Sequence, residues 1–176
     1  MSEQQLRAVV HELELHAAAA GWDRPAGLFA LVGSADLIAR EPSLAAVIED
    51  PTGLTPIEQE AVDAEHLEAF LDSVAWPDEV VGAAAVLERL VLPPEAEVDM
   101  PEEPAQAAAY AAGHPDRQEV RIVAATLRTG QAWSAMRFRA YDEDDKVLTG
   151  PDLVPGLIVL LQQTFEPGTE DPEAAS

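Results

Sequence analysis

The sequence predicts an α+β fold, a two-layer sandwich in which a mainly antiparallel sheet carries its helices on one side. Three observations lead there. Val80 to Leu92 is the longest apolar run, closed by Pro77 before it and Pro93-Pro94 after it, with β-branching at Val80, Val81, Val86 and Val91, and it reads as a buried central strand. A helix over the same residues would be apolar almost all round, broken only by Glu88 and Arg89, and would need burial on every side. Glu119 to Leu127 and Ala132 to Tyr141 are two β-rich runs around Thr129-Gly130, which reads as a hairpin. Finally, Leu6, Val9, Val10, Leu13, Ala17 and Ala20 fall on one face at helical spacing.

The remaining elements follow in order. Ser2 with Gln5 three residues later forms a capping box for the first helix, Gly21 stops it, and Trp22 is placed to fold back on its last turn. Leu28 to Val32, between Gly27 and Gly33, suits a short strand. Ser34 is expected to cap a helix through Arg40, and Ser43 another through Ile48. Thr55-Pro56-Ile57-Glu58 has the cap, proline and glutamate of a helix start, but is short enough to be an ordered loop. Leu67, Phe70, Leu71 and Val74 place a helix before the central strand, and Glu103-Pro104 opens an alanine-rich helix ended at Gly113. Asp152 is expected to cap a final helix striped by Leu153, Leu157, Leu160, Leu161 and Phe165. Residues 1–165 thus form one α+β domain, and 166–176, rich in proline, glycine and acid, are expected to be a disordered acidic tail.

Composition bounds the function. With 176 residues and 48% apolar content the chain can fill one core. Ten basic against 33 acidic residues give a formal net charge of -23, which repels phosphate backbones and anionic membranes, so neither nucleic acid nor membrane is an expected partner. With no cysteine, disulfides, thiolate nucleophiles and cysteine-ligated metal centres are excluded, and a reducing cytoplasm is the compatible location. No run reaches the ~20 apolar residues of a membrane span.

The stretches Ala75-Trp76-Pro77-Asp78-Glu79-Val80, Glu88 to Pro94, and Gly150-Pro151-Asp152-Leu153-Val154-Pro155-Gly156-Leu157 resemble an uncharacterised family of small acidic proteins from high-GC Gram-positive bacteria. The likeness runs from the first helix to the last, stops before the acidic tail, and implies no catalytic residue.

His11 and His16 in His-Glu-Leu-Glu-Leu-His are five apart and point about 140° away from each other on a helix, so they do not form a zinc pair. Asp142-Glu143-Asp144-Asp145-Lys146 has a lysine at the fifth position and no glycine at the sixth, which makes it a charged turn, not a calcium loop. Gly33-Ser34 lacks the second glycine of a nucleophile elbow. No metal or cofactor is expected. Glu88 and Arg89, sent to opposite faces by strand alternation, are expected to put one charge inside as a cross-strand or helix-facing ion pair.

What stands out is cationic: Arg117, Arg121, Arg128, Arg137, Arg139 and Lys146 lie in the last third of an acidic chain. Pairing Arg128 with Gln131 across a two-residue turn places Val123, Ala125 and Leu127 with Ala132, Ser134, Met136 and Phe138 on the core face. Trp133, Arg137, Arg139 and Tyr141 then share the open face and form the candidate binding site, where guanidinium forks grip carboxylates and the rings supply area. A solvated sheet face whose arginines offset nearby acids would have the same composition. The leading expectation is a non-enzymatic protein-interaction module whose partner, or second copy in a homodimer, binds through this sheet face. Replacing Arg137 and Arg139 is then expected to weaken that complex with little loss of stability. The alternative is a small-ligand-binding protein or enzyme with a pocket between helices and sheet.

Overall fold

The computed structural model describes residues 2–48, 51–59 and 67–165. The chain runs α1 (Glu3–Ala20), β1 (Gly27–Gly33), α2 (Ser34–Arg40), a 3-10 turn at Pro42–Ala46, β2 (Leu54–Glu58), α3 (Leu67–Asp72) and β3 (Val80–Val91). Then come α4 (Pro94–Glu97), α5 (Pro104–Gly113), β4 (Gln118–Leu127), β5 (Ala132–Phe138), 3-10 turns at Arg139–Tyr141 and Asp144–Lys146, β6 (Leu148–Gly150) and α6 (Pro155–Gln163). The six strands make one sheet in the order β2-β1-β3-β4-β5-β6, and every neighbouring pair is antiparallel. The α+β class and the antiparallel sheet are therefore as expected. The acidic tail lies outside the described residues.

The helices divide between the two faces instead of gathering on one. Leu6, Val9, Val10 and Leu13 of α1 pack on Leu31, Ala84, Val123, Ala125, Leu127 and Ala135. Leu67 and Leu71 of α3 and Leu157, Ile158 and Leu161 of α6 pack on Leu28, Ala83, Ala85, Leu87, Val120, Ile122 and Ala124, the alternate residues of the same strands. Burial on both faces explains why β3 is a continuous apolar run without alternation. At its centre Ala84 faces Ala125 and Ala85 faces Ala124, small residues that let helices settle close on either side.

The capping box is present: Ser2 N–H donates to Gln5 Oε1 at 2.7 Å, and Gln5 N–H to Ser2 Oγ at 3.3 Å. Gly21 ends α1 at φ +94°. Three local expectations are corrected. Ser34 caps nothing, because the cap position falls on Gly33 and the serine hydroxyl instead meets Thr55 Oγ1 at 2.8 Å. Residues 54–58 are a strand, not a helix or loop, and Pro56 is tolerated there because β2 is an edge strand that can spare one N–H. The last helix begins with Pro155 at its first position and Val154 as the cap residue, so Asp152 lies outside it.

The hairpin is where the expected one-residue register fails. Leu127 N–H donates to Gln131 O and Gly130 N–H to Leu127 O, so the loop is the three residues Arg128-Thr129-Gly130, with Gly130 supplying φ +100°. That is the three-residue loop that ends in a left-handed glycine, one residue longer than the Thr129-Gly130 turn read from the sequence. Its pairing is Thr126 with Ala132, Val123 with Ala135 and Arg121 with Arg137. A shift of one residue exchanges the partners on each face. Val123, Ala125 and Leu127 therefore share their face with Trp133, Ala135 and Arg137, under α1, while Ala132, Ser134, Met136 and Phe138 join Ile122 and Ala124 on the other.

Candidate functional site

Of the four residues singled out in the hairpin, two are covered by α1. Arg7 of α1 lies over the Trp133 ring at 4.0 Å, and Glu14, seven residues further along the helix, meets Arg137, four residues further along β5. Seven helical residues rise ~10.5 Å and four strand residues ~13.5 Å, so a helix lying alongside the strand brings both pairs together. Arg139 and Tyr141 lie past the end of β5 in the 3-10 turn, with Tyr141 59% exposed. Arg137 and Arg139 belong to one charged cluster, whereas Trp133 stands apart under the start of the helix.

Arg137 is the centre of that cluster and is only 2% exposed. Its Nε and Nη2 donate to the Glu14 carboxylate at 2.5 to 3.2 Å, its Nη1 to Asp142 Oδ1 at 3.0 Å and its Nη2 also to Asp144 Oδ1 at 2.7 Å. The Glu14 hydrogen bonds, more than any other contact, stabilise its charged form and raise its pKa despite burial. Asp142 passes the link on: its Oδ2 accepts from Trp22 Nε1 at 3.0 Å. The Trp22 ring in turn lies under two guanidiniums, Arg121 at 4.3 Å and Arg139 at 5.5 Å.

Arg139 forks onto Asp23, Nη1 to Oδ1 at 2.9 Å and Nη2 to Oδ2 at 3.1 Å, and reaches Glu119 at 2.9 Å. Asp23 sits at φ +65°, a left-handed conformation that aspartate tolerates better than most residues. Glu88 holds that turn from below, its two carboxylate oxygens accepting the Asp23 and Arg24 N–H groups at 2.9 Å each. The expected cross-strand pair is thus present only as register: Glu88 stands opposite Arg121, but its hydrogen bonds go to backbone, and Arg89 is exposed. The whole cluster fastens the end of α1 to the open end of the hairpin. Arg128 has a similar structural role, donating to the Val80 and Pro77 carbonyls and covering Phe165 at 4.8 Å.

The cluster has a pH signature. The Trp22 hydrogen bond first, and then Arg137, hold the Asp142 carboxyl below its ordinary 3.8, and Arg139 does the same for Asp23. A carboxyl depressed in the fold contributes stability that is complete above its unfolded-state value and is lost as pH falls through the folded one. The Trp22 indole N–H resonance should therefore hold still down to about pH 4 and shift below it. In Asp142→Asn it should start displaced and lose that step; an unchanged titration would mean that the indole does not depend on Asp142.

Arg121, also 2% exposed, lines a cavity of about 120 Å³ between the second half of α1 and the sheet. Elsewhere, a concavity of about 370 Å³ at the outer margin of the sheet is lined by Gln118, Phe138, Tyr141, Lys146 and Leu148. Among the described residues no cluster of three histidine, aspartate or glutamate side chains is placed to hold a metal ion, and no helix is long and apolar enough to cross a membrane.

Glu14, Trp22, Asp23 and Asp142 were not among the candidate binding residues; the sequence marked Trp22 only as a contact at the end of the first helix and Asp142 only as part of a charged turn. One signal existed: Glu14 lies one turn beyond Val10 and one turn before Ala17, at the border of the apolar stripe of α1.

Fold and site together define an α+β protein in which an arginine-centred charge cluster fastens the first helix to the open end of the β4–β5 hairpin. The chain belongs to the family of PPA1309-like proteins, whose family model matches residues 6–166. No curated protein and no solved structure matches it.

Proposed function

We propose that this chain is a non-enzymatic interaction module that holds a protein partner against the outer margin of its sheet, over β5 and β6. The observation that carries the reading is apolar exposure: Leu148, paired with Met136 at the sheet's edge, is 51% exposed, and Tyr141 beside it 59%. With Phe138 they wall the 370 Å³ concavity, an aromatic anchor site of the kind that supplies most of the energy in protein contacts. This is the continuation of the face carrying Met136 and Phe138; the other face of the hairpin is closed by α1. Of the four residues first marked as a binding site, Tyr141 faces the partner, Arg139 borders the contact, and Trp133 and Arg137 support it from beneath α1.

The partner we favour is a basic segment of another protein. Asp142, Glu143, Asp144 and Asp145 are exposed along this margin, and a net charge of -23 repels a second acidic copy while steering a cationic chain inward. β6 is three residues long and outermost in the sheet, so an extended partner segment can add to its free edge. The work is placed in a reducing cytoplasm, where a chain without cysteine suits the redox conditions, in the small acidic proteins of high-GC Gram-positive bacteria that the sequence resembles.

The test is a double variant, Tyr141→Ala with Leu148→Asp. A partner recovered from the source cell with the wild-type chain should bind this variant at least about tenfold more weakly, with the unfolding midpoint unchanged and the complex weakening as salt rises. Undiminished affinity would overturn the reading. A concentration-dependent dimer in sedimentation, dissolved by the same variant, would reassign the surface to a homodimer.

A further inference from the structure

The cavity beside Arg121 lies on the opposite face of the sheet from the proposed partner surface and stands on different observations. Leu13 and Ala17 of α1, Phe29 of β1 and Val86 of β3 form the apolar part of its wall, and Arg24, Glu58, Glu88 and Arg121 are charged groups in the same lining. There the Arg121 guanidinium is fixed on two sides, by Nη2 donating to Gly21 O at 2.6 Å and by the Trp22 ring at 4.3 Å. Its Nη1 is buried and has no hydrogen-bond partner among the described residues. A buried guanidinium N–H left unpaired is costly, and such groups are nearly always satisfied by protein, water or ligand.

The nearby acids do not fill the role. Glu88 accepts two backbone N–H groups, and Glu14 and Asp142 are taken by Arg137. Burial outweighs their combined attraction and lowers the Arg121 pKa, so the charge is under-compensated where it sits. The cavity offers about 120 Å³, the liquid volume of roughly four waters at ~30 Å³ each, or of a carboxylate with a short alkyl chain.

We infer that this cavity is a binding site for a small monocarboxylate, its carboxylate on Arg121 Nη1 and its alkyl chain against Leu13, Ala17, Phe29 and Val86. A charge-assisted N–H···O⁻ bond in a partly dry site supplies the orientation, and the walls supply selectivity for a short apolar chain. Glu58 and Glu88 in the lining, balanced only by Arg24 and Arg121, disfavour a dianion.

Sodium butyrate is the probe, titrated into isotope-labelled protein at constant ionic strength against sodium chloride and butyramide. Amide resonances of Ala17, Gly21, Trp22 and Val86 should shift and saturate with half-saturation on the order of 1 mM, and butyramide should bind at least about tenfold more weakly. Arg121→Gln should abolish saturation. Because that change can unfold the protein, Ala17→Leu provides the second arm: it fills the cavity from a helical position that accepts leucine, and it should remove butyrate binding from a folded chain. Unsaturable shifts like those with chloride, equal binding of butyramide, or undiminished butyrate affinity in Ala17→Leu would each overturn the inference. Water would then be the occupant of the cavity.

Discussion

Arg137→Ala will lower the free energy of unfolding by about 3 to 5 kcal/mol, the range for removing one partner of a buried ion pair. Glu14 is 3% exposed, so removing its cation leaves a buried carboxylate without its guanidinium partner, which is the costly half of breaking such a pair. Replacing both partners, Glu14→Leu with Arg137→Met, should return most of the stability, because two apolar side chains of similar size fit where the pair was. Arg139→Ala, whose partners Asp23 and Glu119 are exposed, should cost little. Urea unfolding of the four proteins at pH 7 measures all of this. A drop below about 1 kcal/mol for Arg137→Ala, the surface-pair value, would mean that the guanidinium is solvated after all.

That prediction reverses the expectation drawn from sequence, in which Arg137 was a binding residue on the open sheet face whose loss would leave the fold stable, and the reason is local. The first and central strands, the hairpin and the capped first helix were legible because each rests on a period or a cap within a few residues, whereas the two edge strands β2 and β6 were not read as strands. The face of Arg137 rests on loop length. Thr129-Gly130 reads as a two-residue turn, but the loop closes around Arg128-Thr129-Gly130, and nothing in the three letters selects one over the other. The arginine content of the hairpin was visible, while its meaning depended on where acids 123 residues away on α1 would land. Two covered faces were also hard to read. β3 is apolar at Ala83, Ala84 and Ala85 on both sides, which was evidence for a second helical layer, yet the helices carry no mark of the face they choose. Pro56 misled in another way: its pairing of cap and proline resembles a helix start, and only the neighbouring Leu31 makes it an edge strand.

Gly82→Ala should cost about 1 to 3 kcal/mol, the usual range for overfilling a packed interior. Gly82 sits in β3 between Leu31 and Leu127, where the β1 register slips by one residue. A Cβ there would lie 2.6 Å from Thr126 O, and 3.1 Å from both Leu127 Cδ2 and Leu31 Cδ1. The two leucine methyls can turn away, but the carbonyl belongs to the β3–β4 ladder and moves only with its strand, so the clash is with backbone. Glycine is thus required by close approach, as often happens beside a bulge. The same substitution elsewhere isolates the cause. At Gly113, where nothing lies within 4 Å and φ is not positive, alanine should be neutral or stabilising by up to ~1 kcal/mol. At Gly130 the space is equally open, but φ is +100°, so alanine there should lose stability through backbone strain alone, about 1 to 2 kcal/mol. Chemical denaturation of the three variants separates packing from conformation. If Gly82→Ala unfolds no more readily than Gly113→Ala, the centre of the sheet has room that the Thr126 carbonyl is here taken to deny.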